Sequence, residues 1–382
     1  MGHTQPLPLL SPVNSARLLA VCAWILTGFV HAQDRASEPA QPVTPDIHDA
    51  DLPLSAAKGN FVVVPIPFSN PTLEQGLVVG AAYFYPQTAE QKAAQPASVT
   101  GIGGMSSNNG SYALALGQAA YWDEDRWRVT GALAYADLDL PLLALGGKSE
   151  LLGVDWLIKG TVAYAELARR IGSDWYAGVS GRYVNADQQF NVDIRTDEFT
   201  LLDHFTTVGL GLSLSYDSRD LPTNAYQGRY FKATAFTNDT GLGSDLTYQS
   251  YGLSYRSYQQ LAPTLVLAWE LNGCLKSGDV PLWDACRIGL RGFASTDYMG
   301  KSSVKTQAEA RWKFSKRWGL AAFAGAGELT ESLAGNHDYD VIPSYGFGLR
   351  FMVSTAQRIN MRLDFAWSRD SNAAYLSAGE AF

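Results

Sequence analysis

The sequence predicts an all-β protein, a 16-stranded antiparallel transmembrane β-barrel, and three observations carry that prediction. Apolar and polar residues alternate through segments about ten residues long, which suits a tilted membrane-crossing strand better than a soluble one. Charged residues make up only 17% of the chain, while aromatics reach 12% and glycine counts 36. A water-facing surface is normally charge-rich, whereas a lipid-facing apolar band with aromatic girdles accounts for both departures. Connections also alternate between short and long, as they do when one side of a membrane carries tight turns and the other carries free loops.

Residues 1–32 read as a secretory signal peptide. Arg17 gives the positive flank, "LLAVCAWILTGFV" (18–30) the apolar core, and Ala32 the small residue before the cut. That core is too short to span a bilayer as a helix, and no later stretch is long and apolar enough to do so. Residues 33–58 are rich in Pro, Ala and Asp with no apolar period, and read as a disordered periplasmic tail. Residues 59–382 form the barrel domain. The net charge of −8 argues against nucleic acid as a partner.

Alternation marks sixteen segments, starting near residues 61, 75, 98, 111, 126, 154, 174, 205, 228, 245, 263, 303, 317, 344, 357 and 373. In "VKTQAEARW", Val304, Thr306, Ala308, Ala310 and Trp312 share one face, and Lys305, Gln307, Glu309 and Arg311 share the other. A two-layer sandwich would also alternate, so it is segment length that favours the barrel. Residues 140–153, 187–204, 274–302 and 329–343 read as long loops, between short turns such as "WDEDR" and "KFSKR".

Several signals lead nowhere. "GGKS" (146–149) and "GKSS" (300–303) lack the upstream glycine of a phosphate-binding loop, and no Gly-x-Ser-x-Gly elbow occurs. His48, His204 and His337 show no zinc-ligand spacing, so neither metal nor cofactor is expected. His204 is the one histidine near a strand start, where a barrel enzyme could place a Ser/His pair. Two cysteines remain after signal cleavage, Cys274 and Cys286. An oxidising compartment and their short separation favour a disulfide within the long loop, against two independent thiols.

Two motifs carry a family resemblance. "RGF" (291–293) resembles the Arg-Gly-aromatic motif in the largest loop of BamA/TamA-type barrels, the bacterial surface antigen family. "YDSRDLPTNAYQG" (216–228) resembles that family's turn before the ninth strand, through Asp217, Arg219, Asp220, Pro222 and Gly228. The resemblance covers residues 59–382. It implies that the loop joins strands eleven and twelve, folds back into the barrel, and pairs its arginine with acids on strands twelve and thirteen. Alternation puts Glu309 on the inward face of strand twelve. Arg291 and Glu309 are therefore the expected loop clamp, with Gly292 and Phe293 beside them. The alternative is an exposed arginine without a partner.

The resemblance further implies protein insertion into, or translocation across, the outer membrane of a Gram-negative bacterium, by a monomeric barrel in contact with outer-membrane lipid. The chain departs from the family pattern in three places. Gly325 stands where strand thirteen would carry the second acid, leaving one carboxylate for the clamp. Ala225 replaces a second proline in the turn. The tail is too short for a periplasmic POTRA module, so a separately encoded periplasmic partner or the client itself would have to meet the barrel directly. A passive pore or structural protein is the alternative, and a barrel enzyme the more remote one.

Closure requires the first strand, "NFVVVPIPF" (60–68), to pair with the last, "AAYLSAGEAF" (373–382). Pro65 and Pro67 lie two apart and delete two backbone donors along one edge. If that edge faces the strand ending at Phe382, the closing seam is the weakest in the wall. Alternatively, the prolines merely end a short first strand.

Overall fold

The computed structural model describes residues 59–142, 153–194, 197–332, 341–355, 358–369 and 371–382. The signal and tail assigned to residues 1–58 lie outside the described residues. Sixteen antiparallel strands form a closed wall: β1 (Asn60–Asn70), β2 (Glu74–Phe84), β3 (Val99–Ser107), β4 (Tyr112–Trp122), β5 (Trp127–Leu142), β6 (Gly153–Arg170), β7 (Trp175–Ile194), β8 (Asp197–Asp217), β9 (Gly228–Asn238), β10 (Tyr248–Ala262), β11 (Leu265–Gly278), β12 (Met299–Lys313), β13 (Trp318–Ser332), β14 (Ile342–Ser354), β15 (Ile359–Ser368) and β16 (Asn372–Ala378). Each pairs with its sequence neighbour, and β1 returns to β16. A two-residue ladder, Cys286–Arg287, pairs with the start of β12 from within the preceding loop.

Period-two alternation builds this wall because successive side chains of a strand point to opposite faces. In β12, Lys305, Gln307, Glu309 and Arg311 are buried in the lumen, while Val304, Ala308 and Trp312 face outward. The outer face carries residues such as Leu114, Leu116, Val179, Leu210 and Leu212, all exposed. At the short-turn end it carries Trp122, Trp175, Trp312, Phe314 and Trp318. An apolar band ending in exposed aromatics is the surface a lipid-facing wall requires. No helix among the described residues is long and apolar enough to cross a membrane.

Strand boundaries correct two loop assignments and the end of the last strand. Residues 187–204 are mostly strand, since β7 and β8 pair continuously from Trp175↔Tyr216 to Ile194↔Asp197. The long inner loop spans 279–298, and Cys274 lies in β11 rather than in that loop. β16 stops at Ala378, so residues 379–382 leave the wall instead of completing a last strand. Phe382 and Glu380 are buried as a result.

The inner loop packs against the wall from inside the barrel. Loop residues Trp283, Ile288, Leu290 and Phe293 are buried against wall residues that include Val184, Phe205, Leu329 and Ile342. The folded barrel is expected to run differently on gels before and after heating, and to give a circular dichroism spectrum dominated by strand. A helix-dominated spectrum would refute the fold.

Candidate functional site

The RGF triplet lies deep in the lumen, against β12–β16. Arg291 Nη2 donates to Glu309 Oε2 at 2.6 Å and to Gln307 Oε1 at 2.8 Å, and Nη1 donates to Asp364 Oδ2 at 2.7 Å. The guanidinium also lies 3.3 Å from the Phe323 ring centroid. A planar fork with several donors can meet three acceptors and a ring face together, which an ammonium cannot. Glu309 and Asp364 are fully buried.

Asp364, from β15, is a carboxylate that the motif resemblance did not provide. The single-carboxylate clamp expected from Gly325 is therefore corrected to two. Strand thirteen has no room for the acid: a Cβ at position 325 would lie 2.7 Å from Thr306 O and 3.0 Å from Gln307 Cβ. Two strands further on, Asp364 reaches the same arginine.

Gly292 has φ +115, and a Cβ there would stand 3.0 Å from the carbonyl carbon of Trp367. Only glycine tolerates both conditions without strain. Its N–H donates to Tyr375 Oη at 2.8 Å, and its carbonyl accepts from Ser371 Oγ at 2.7 Å. Phe293 O accepts from Tyr375 Oη at 3.1 Å, and the Phe293 ring packs edge-on to Tyr298. Tyr375 belongs to β16, so the loop is fastened directly to the closing strand. Further along the loop, burial pushes the Asp297 carboxyl up to about 6, partly opposed by the Ala294 N–H that it accepts.

The clamp continues into a larger network. Arg311 Nε donates to Glu309 Oε1 at 2.8 Å, and Arg350 Nη1 donates to Asp364 Oδ1 at 2.5 Å. Arg350 Nε donates to Glu380 Oε2 at 2.9 Å, and Arg362 lies 3.8 Å from Asp364. Arg311 Nη2 reaches the Phe382 carbonyl at 3.0 Å. Four arginines and three carboxylates thus join the loop, three wall strands and the C-terminal residues.

The turn motif sits at the short-turn end. Asp217 accepts from Arg219 Nε at 2.8 Å and Nη2 at 2.6 Å, and Arg219 Nη1 donates to Pro222 O at 3.3 Å. Asp220 accepts the Tyr226 N–H at 2.9 Å and Arg358 Nη1 at 2.5 Å, while Gly228 opens β9. Arg358 comes from the β14–β15 turn, so the motif reaches across the barrel mouth. Ala225, at the position of the missing proline, packs with Phe382, Tyr258 and Ala268. The smaller residue leaves space for the terminal ring.

Pro65 and Pro67 face outward in β1, opposite Val79 and Leu77 of β2. β1 pairs with β2 without a break from Asn60↔Phe84 to Asn70↔Glu74, but with β16 at one position, Ser69↔Leu376. His204 contacts Asp187 at 2.7 Å on the exposed β7–β8 hairpin, and its Nε2 faces the Asn185 amide rather than a hydroxyl nucleophile.

Cys274 and Cys286 are bonded, with Cα atoms 5.7 Å apart, and tie the loop to β11. On the chain-entropy account such a link contributes on the order of 3 kcal/mol. Mass spectrometry of non-reduced peptides from the native envelope should recover the pair linked. Two free thiols there would refute the bond.

Comparisons with known proteins agree with this architecture. The structure superposes on that of BamA from Haemophilus ducreyi lacking POTRA domains 1-3, with a TM-score of 0.60 and 14% identity over 96% of this chain and 78% of that one. It also superposes on CdiB from Acinetobacter baumannii, with a TM-score of 0.54 and 12% identity over 84% of this chain and 60% of that one. For CdiB from Escherichia coli the TM-score is 0.55 and the identity 9%, over 82% and 62%. The chain thus spans about three fifths of each CdiB structure. No curated protein matches it in sequence. A family model, the Omp85 superfamily domain, matches residues 97–382, three quarters of the sequence, and the chain belongs to that superfamily.

Proposed function

We propose that this chain is an outer-membrane barrel of a Gram-negative bacterium that takes part in inserting proteins into that membrane or moving them across it. The observation that carries this reading is the closing seam. One residue pair joins β1 to β16, and the loop motif is hydrogen-bonded to β16 through Tyr375. A seam held so lightly is where a wall can open sideways, and a loop fastened beside it can sense or set that opening. A passive pore would call for an open lumen, whereas loop residues here are packed across it.

In this reading residues 1–32 direct export, 33–58 form a periplasmic tail, and 59–382 work as a monomeric barrel against outer-membrane lipid. The client, or a separate periplasmic partner that delivers it, meets the barrel from the periplasmic side. Depletion followed by a census of outer-membrane proteins and surface lipids tests the proposal. A fall in a defined set of outer-membrane or exported proteins is the expected result. A change confined to surface lipids would transfer the activity to lipid, and no change in either would leave the barrel structural.

A further inference from the structure

The half of the loop that precedes the RGF triplet has an anchor of its own on another part of the wall. A tight turn, with Asp284 N–H donating to Pro281 O at 2.9 Å and Ala285 N–H to Leu282 O at 3.2 Å, presents Trp283 and Asp284 to the wall. The Trp283 ring stacks on Phe205 of β8, with centroids 5.5 Å apart. The Asp284 carboxylate is fully buried. Its Oδ2 accepts from Tyr248 Oη of β10 at 2.5 Å and from Arg182 Nη2 of β7 at 3.0 Å. Its Oδ1 accepts from Arg182 Nη1 at 3.5 Å and lies 3.7 Å from Lys276 Nζ of β11. Arg182 Nη2 also donates to Asn238 Oδ1 of β9 at 3.1 Å.

This part of the wall presents two buried cations to the lumen, and the loop supplies a carboxylate that meets both. The β12–β15 part presents the buried carboxylates Glu309 and Asp364 among the wall arginines Arg311, Arg350 and Arg362, and there the loop supplies a further cation, Arg291, bonded to both carboxylates. We propose that Asp284 is a second positioning residue, an anionic clamp of opposite polarity to Arg291, so that the loop is a strap drawn between two parts of the wall. The proposal rests on the reading that loop seating matters for the activity, and it adds a residue on which that seating depends. Opposite polarity has a mechanical consequence. Neither clamp can take the other's socket, so the strap has one orientation, and losing one clamp frees only its own half.

The test uses the purified full-length protein in detergent micelles, with limited trypsin digestion read by mass spectrometry and heat-modifiability as the measure of folding. Losing the charge-assisted hydrogen bonds in Asp284→Asn is expected to speed cleavage after Arg287 by about tenfold in a folded barrel. Asp284→Glu should restore much of the protection. A triple variant, Asp284→Asn with Arg182→Gln and Lys276→Gln, separates positioning from simple neutralisation of the wall. It carries no unpaired charge, so a positioning role leaves its loop exposed. Protection regained in the triple variant, or never lost in Asp284→Asn, would overturn the proposal. If Asp284→Asn fails to assemble, the triple variant decides alone by the same criterion. If that also fails, Tyr248→Phe, which removes one donor and no charge, decides by raised or unchanged cleavage. A negative depletion census would remove the transport reading and leave the strap standing, whereas a protected Asp284→Asn loop would do the reverse.

Discussion

Arg291→Ala is expected to leave the barrel assembled at normal levels while freeing the RGF half of the loop to protease and abolishing most of the activity. The charges in the network explain why folding survives. With Arg291 present, four arginines face three carboxylates; without it, Arg311, Arg350 and Arg362 still balance Glu309, Asp364 and Glu380. Glu309 is therefore not orphaned, because Arg311 remains 2.8 Å away. What is lost is seating: two hydrogen bonds to carboxylates, one to the Gln307 amide, and a ring contact. Bonds to charged groups contribute about 1.5–3 kcal/mol each net of exchange with water, less where the lumen leaves the freed groups other partners. A net loss of about 3 kcal/mol would raise the released fraction roughly a hundredfold. Arg291→Lys should fall between the two, since an ammonium keeps the charge without the fork. Loop protection unchanged in Arg291→Ala would show that the contacts do not hold the loop.

Locking the seam should have an effect as large. Cysteines at Ser69 and Leu376, the one β1–β16 pair, are expected to crosslink, to abolish activity while locked, and to restore it on reduction. An ordinary ladder bond contributes only about 1 kcal/mol net, but an unpaired backbone group facing hydrocarbon costs several. Each proline removes a donor, and the ladder from β1 to β2 runs unbroken through both. That arrangement is the one expected if the donorless edge faces β16. The early end of β16 at Ala378 shortens the seam further. Full activity in the locked barrel would refute a lateral gate.

The wall was legible in the residues alone: sixteen strands, most starts within about three residues, and Glu309 on the inner face. Those features follow from alternation, which is local and has period two. Polar residues such as Gln188, Gln189, Asp203 and His204 dilute the alternation in the β7–β8 extension, so it reads as loop although Phe190, Val192 and Ile194 alternate with Gln189, Asn191 and Asp193. Which residues meet across the lumen was settled by the closed barrel. Asp364 joins Arg291 from 73 positions away, Asp284 meets Arg182 from 102, and Arg358 meets Asp220 from 138. A strand pattern tells which face a side chain takes, but its height in the lumen depends on the tilt and stagger fixed when the ring closes. Gly325 looked like a lost acid for that reason. The space it leaves, and the carboxylate that reaches Arg291 from β15, exist only in the closed barrel.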